Sequence, residues 1–255
     1  MASRAESISR RLVDPLGGSP ELPAAPRLRR AIRAALSDFY FNSLRLVAAN
    51  LVWTGVLVGL YLLFLVWPFG AIVLSPILAL PTAGIFRLAV RIVRGEMASF
   101  GDALEAWRRF GRRALALGAA VIGGAAVLVI NVVTGLADGG LVGWSLATLA
   151  FWGLAVGATL TTVAWPILVD PRRESLAARD AFRLAALLVL AFPLRFGALT
   201  AVVVVFVLVS VAAVAAVATV SISLAALVTA RYVLPASDRF EAQLAGTTER
   251  ARARS

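Results

Sequence analysis

Long apolar runs separated by short arginine-bearing polar stretches dominate this chain. The first run extends from Leu46 to Phe69, and the second from Gly70 to about Val90, with Pro76 and Pro81 inside it. The third spans Ala114 to Thr134, and the fourth spans Leu141 to Val169, with Pro166 near its end. From Leu184 to Val233 the chain is almost continuously apolar, interrupted only by Pro193-Leu194-Arg195. A helix needs roughly 20 apolar residues to cross a hydrocarbon core of about 30 Å. Each of the first four runs is long enough for one helix and the last block for two, which makes six. The predicted fold is all-α: a polytopic membrane bundle of six transmembrane helices.

The polar stretches carry their own periodicity. Leu28, Ile32 and Leu36 share one helical face and Arg29, Arg30 and Arg33 the other, the pattern of a helix lying in the headgroup plane. Asp38 and Asn42 break it before the first span. Residues 1–43 are therefore expected to form a flexible Arg-rich tail with an interfacial helix from about 27. Residues 44–235 form the six-helix domain, and residues 236–255 a polar tail. Ser99-Phe100-Gly101-Asp102 is a helix start of capping-box type. After it Phe100, Leu104, Trp107 and Phe110 fall on one face among Arg108, Arg109, Arg112 and Arg113. This predicts an amphipathic elbow helix on the membrane surface, and those four apolar residues are its candidate partner contacts. A second elbow starts at Asp170-Pro171, an N-cap with proline at the first helical position, with Leu176 and Phe182 on its apolar side.

Composition narrows the class. The chain is 60% hydrophobic and 15% charged, against about 45–50% and 25% for soluble domains. A water-soluble globule and a disordered chain are both excluded. There is no Cys and no His, so disulfides, thiolate chemistry and imidazole general bases are excluded as well. No carboxylate falls inside an apolar run, which disfavours a carboxylate-coupled carrier. No cofactor, no metal and no enzymatic activity are expected.

The 25 basic residues are all Arg and exceed 14 acidic ones by 11. Eight lie up to Arg45, seven from Arg87 to Arg113, four from Arg172 to Arg183 and five from Arg231 onward, with Arg195 alone. The connectors near Pro68–Ala71, Gly135–Gly140 and Val209–Ala215 hold none. Cytoplasmic loops are enriched in arginine, so six spans with both termini cytoplasmic put every Arg-rich stretch on one face. That rule, with attraction to anionic lipid, accounts for the basic charge, and a nucleic-acid partner is not expected. The first 40 residues lack the apolar core of a cleavable signal peptide, so the first span is expected to act as its own insertion signal.

Within the spans, Asn50, Asn131, Thr161 and Thr162 are the polar residues expected to face other helices. Gly55/Gly59, Ala120/Gly124 and Gly153/Gly157 have the small-xxx-small spacing of close helix approach, read first as internal packing and second as a homodimer seam. Pro76 and Pro81 break the second span, which is either a structural kink or a solute site on a broken helix. Arg195 is placed best by a fifth helix that starts near Ala181, kinks at Pro193 and turns Arg195 toward an aqueous cavity. The alternative is a span that starts near Phe196, with Arg195 at the boundary. Asn50, Asn131, Pro76, Pro81 and Arg195 are thus the candidate contacts for a solute or lipid.

Asn50-Leu51-Val52-Trp53, then Pro81-Thr82-Ala83-Gly84-Ile85-Phe86 followed by Arg87, Arg91 and Arg94-Gly95-Glu96, resemble the YesL-like family of bacterial membrane proteins. Phe100, Trp107 and Phe110 and the stretch Trp165-Pro166-Ile167-Leu168-Val169-Asp170 are similar too. The family more often has Gly-Pro where this chain has Leu80-Pro81. The resemblance implies a five- or six-span bacterial inner-membrane protein of unassigned function, often encoded beside carbohydrate-uptake and sugar-degradation systems. The leading expectation is an accessory membrane protein of a carbohydrate transport or utilisation system. The rivals are a permease for a small uncharged solute and a lipid-binding scaffold. The partners to test are membrane lipids, a carbohydrate transport system and a second copy of the chain.

Overall fold

A computed structural model describes residues 27–212 and 217–252, and these residues contain helices and no strand. The expected tail Met1–Pro26 and part of the expected connector Val209–Ala215 lie outside the described residues. The helices are α1 (Leu28–Phe41), α2 (Ser43–Val66), α3 (Pro68–Leu74), α4 (Ala79–Val93) and α5 (Phe100–Asp138). They continue with α6 (Leu141–Leu168), α7 (Ala178–Ala191), α8 (Pro193–Ala212) and α9 (Ile222–Arg252). Among the described residues, six segments are long and apolar enough to cross a membrane: Ser43–Val66, Pro68–Val93, Phe100–Asp138, Leu141–Leu168, Pro193–Ser210 and Thr219–Gln243. The chain is an all-α polytopic membrane bundle.

Local chemistry sets the boundaries. Proline disfavours the helical region for the residue before it. Accordingly α7 ends at Ala191, Phe192 leaves the helix (φ −137°, ψ 57°), and Pro193 opens α8. Ser99 and Asp102 form the reciprocal capping box at the start of α5. At its other end Gly139 takes φ +64°, the left-handed geometry that costs glycine least, and the chain turns at once into α6. In the second span the 3₁₀ turn Ser75–Leu78 carries Pro76 and joins α3 to α4.

The first elbow is not a separate helix. Residues 100–113 are the arginine-bearing end of α5, continuous with the third span, because nothing between Phe110 and Leu117 breaks a helix. The second elbow is separate: the 3₁₀ turn Pro171–Arg173 leads into α7. The polar stretch after Pro235 is helical, since α9 runs through Pro235 to Arg252.

The core gathers at the arginine-rich end, where α4, the end of α6, α7 and α9 meet around Leu88, Val90, Ile167, Leu188 and Leu227. Helix α1 packs Ala31 and Ala35 inward and leaves Leu36, Tyr40 and Phe41 exposed. Asp38 accepts both guanidinium bonds of Arg231, at 2.6 and 2.8 Å, which fixes α1 on α9. Close approach uses other glycines than those expected. A Cβ on Gly118 would meet Ala79 Cβ at 2.7 Å and Pro76 O at 3.2 Å, and one on Gly84 would stand 2.9 Å from Trp107 Nε1. These glycines let α5 lie directly on the second span. Gly55, Gly59, Gly124 and Gly157 have open space beside them, and Gly153 meets Leu128. Their expected role in internal packing therefore holds only for Gly153.

Candidate functional site

Helix α4 and its C-cap carry Arg87, Arg91 and Arg94 at spacings of four and three, one face of a helix, and each meets a carboxylate from a different segment. Arg87 donates to Val169 O at 2.8 Å and to Glu174, with its guanidinium 5.4 Å from the Phe110 ring centroid. Arg91 pairs with Glu96 at 3.1 Å and with Asp102, the capping residue of α5. Arg94 donates to Asp170 at 2.5 Å and to both oxygens of Asp238, at 2.5 and 3.0 Å.

Asp170 is the hub, with no exposed surface. Arg173 reaches the same Asp170 oxygen at 2.6 Å, Asp238 at 2.6 Å and Glu241 at 2.7 and 3.1 Å. The other Asp170 oxygen accepts the Arg172 N–H at 3.1 Å, capping the turn that positions Arg173. The Arg94 and Arg173 side chains are only 7% and 6% exposed. Burial works against both guanidinium charges. For Arg94 the bonds donated to Asp238 and Asp170 outweigh it, and for Arg173 the bond to Glu241 leads, so both pKa values rise above the ordinary arginine value. The result is a charged clasp that ties α4, the α6–α7 turn and α9 together at the arginine-rich end. Arg109, bridging Glu105 and Glu174 at 2.8 and 2.9 Å, extends it over the surface.

The predicted site residues scatter around this clasp. Asn50 is fully buried and accepts from Ser223 N at 3.2 Å and Ser223 Oγ at 3.4 Å, where a π-helical turn, Val217–Ser221, leads into α9. It joins helices. Pro76 lies against Gly118 and Pro81 is buried in the first turn of α4. Their break thus accommodates a helix crossing, and α2 packs beside it, with Trp53 Nε1 donating to Thr82 Oγ1 at 3.0 Å. Asn131 is half-buried toward the far end of α5. Thr161 and Thr162 donate to carbonyls four residues back in α6, each at 2.8 Å. Arg195 corrects the expectation most clearly. It is exposed in the first turn of α8, 5.4 Å from the Phe192 ring centroid. Because Pro193 starts a new helix, the charge stands in the first turn of α8, which matches the boundary alternative for this residue.

Of the first elbow's residues, Phe110 is buried beneath Arg87, Trp107 packs on Gly84 and Phe100 joins the core edge. Leu104 faces outward, 43% exposed. The burying stripe is Ala103, Ala106, Phe110 and Ala114, small residues that hydrophobic size alone does not single out.

Three cavities accompany the clasp. One of 280 Å³ lies between α1, α4 and α9 and is lined by Arg30, Arg94 and Arg231. Two others lie along α5, α6 and α7, of 310 and 280 Å³. No family model, curated protein or solved structure matches this chain.

Proposed function

We propose that this protein is a non-enzymatic accessory component of the bacterial inner membrane that works through contacts at its basic, cytoplasmic face. The observation that carries this reading is the clasp. Arg94, Asp170, Arg173, Asp238 and Glu241 are spent on one another, which holds the basic ends of the spans as one rigid platform. Outside it, Arg29, Arg33, Arg108, Arg112 and Arg183 are exposed around the same end. These pairs join α4, the α6–α7 turn and α9 at one end of the bundle. The tight seat of Pro76 on Gly118 supports a structural break over a solute path.

The YesL-like resemblance is the support for linking the platform to a carbohydrate transport or utilisation system. Affinity capture of the full-length chain from native membranes, paired with solute uptake by proteoliposomes holding this chain alone, tests the reading. It predicts recovery of carbohydrate-uptake components and no sugar flux. Flux by the isolated chain, or recovery unchanged when Arg108 and Arg112 are replaced by Gln, contradicts it.

A further inference from the structure

The two cavities along α5, α6 and α7 share Leu117, Ala120 and Phe182, so they are successive parts of one groove. Its mouth is lined by Arg113 and Arg179, and its floor runs past Gly124 and Gly157 to Leu128. All charge is at one end. Arg113 holds the carbonyl of Leu176 at 3.0 Å and so bridges α5 to the start of α7. Arg179 is exposed and makes no hydrogen bond or ion pair with any other described residue. The N-cap of α7, Ala177, offers no side chain to the first-turn N–H groups, which favour an anion. Asp180 belongs to the same turn but lines neither cavity.

The dimensions match a lipid. Along α5, Arg113 to Leu128 covers about 22 Å at 1.5 Å per residue, which exceeds the roughly 15 Å of half a hydrocarbon core and leaves room for a headgroup at the arginine end. Cavities of 310 and 280 Å³ are at the lower end of the volume expected of ligand sites, about 300–1,000 Å³. The small residues make the depth: Gly124 and Gly157 have nothing within 4 Å of an added Cβ. The groove lies in the segment that would face lipid, so its apolar part is in contact with acyl chains. The two arginines distinguish one lipid class from the rest.

We propose that this groove is a site for one anionic phospholipid of the cytoplasmic leaflet. The phosphate is held between Arg113, Arg179 and the start of α7, and one acyl chain lies along Ala120, Gly124 and Gly157. This inference stands independently of the accessory role. A bound lipid would cement α7 to the α5–α6 hairpin.

The test is lipid binding to the delipidated full-length chain, measured by native mass spectrometry with phosphatidylglycerol as probe and phosphatidylcholine as reference. Phosphatidylglycerol is expected to bind at least tenfold more tightly. Arg179→Gln should abolish that preference, and Gly157→Leu or Ala120→Leu should weaken retention of the lipid at least fivefold. Arg33→Gln, on exposed α1 outside the groove, should change neither. Equal losses in Arg33→Gln and Arg179→Gln would overturn the site in favour of a general basic surface. Full retention in both groove-filling variants, or displacement by inorganic phosphate, would reduce it to a headgroup-sized anion site. A change of oligomeric state in Gly157→Leu would give the groove to a second copy and overturn the lipid. The Arg179 side chain has no partner to lose among the described residues, so its variant keeps the test open if a filling variant fails to fold.

Discussion

Replacing Asp170 by Asn preserves its volume and the acceptor that caps the Arg172 N–H, but removes one of the two negative charges, Asp170 and Asp238, shared by Arg94 and Arg173. Removing one partner of a buried pair costs about 3–5 kcal/mol, most of it for the charge left behind. Arg94 keeps Asp238, and Arg173 keeps Asp238 and Glu241. The loss is therefore about 2–4 kcal/mol, the weight of one to two charge-assisted bonds. Both guanidiniums are more than nine-tenths buried, so solvent screens little of it. For a chain of about 150–250 residues each kcal/mol moves the melting temperature roughly 2–4 °C. Asp170→Asn should then lower the midpoint by about 4–16 °C in detergent micelles, followed by tryptophan fluorescence. The control is Glu105→Gln, whose pair with Arg109 is about half exposed on both sides and is worth about 0–1 kcal/mol. A shift for Asp170→Asn no larger than for Glu105→Gln would refute the claim that the clasp holds the basic end together.

Further outcomes follow from the packing and are read in the same assay. Gly118→Leu drives a side chain into Ala79 and the Pro76 carbonyl and should cost about 1–3 kcal/mol, whereas Gly59→Leu, with open space beside it, should be near neutral. Asn50→Leu strips the acceptor from Ser223 and should cost about 1–3 kcal/mol, the penalty of a buried unsatisfied donor. A cysteine at 195, in a chain with no other Cys, should react readily with a water-soluble maleimide from the basic side. Complete protection there would restore a buried position.

The spans were legible because the apolar runs are long and the arginines fall only between them. The clasp was not. In the sequence its arginines count only toward the basic face, Asp170 only as an N-cap and Asp238 and Glu241 only as part of a polar tail, and the partners of Arg94 are 76 and 144 residues away, a separation that no local period exposes. Its one local sign was Arg87, Arg91 and Arg94 on a single face of α4. The first elbow shows the opposite failure: its apolar face was plain, but its junction with the third span has no breaker to mark or to deny a boundary. At Arg195 the signal was present. Pro193 both ends one helix and begins the next, and giving it full weight would have put the charge at a helix end. The small-xxx-small motifs misled because spacing identifies a smooth face without saying what covers it. Gly84, Gly111 and Gly118 make the real crossing between α4 and α5.

The most direct test of the account is which side of the membrane each end of the bundle faces. Single cysteines at Ser37 in α1, Ser175 before α7 and Gly140 between α5 and α6 stand at exposed positions and can be labelled in intact cells and in inverted vesicles with an impermeant maleimide. Six spans with the clasped end cytoplasmic predict that 37 and 175 react only in inverted vesicles and 140 only in intact cells. Labelling of 37 and 175 from opposite sides, or of 140 from the same side as both, would contradict the fold's placement in the membrane and the platform built on it.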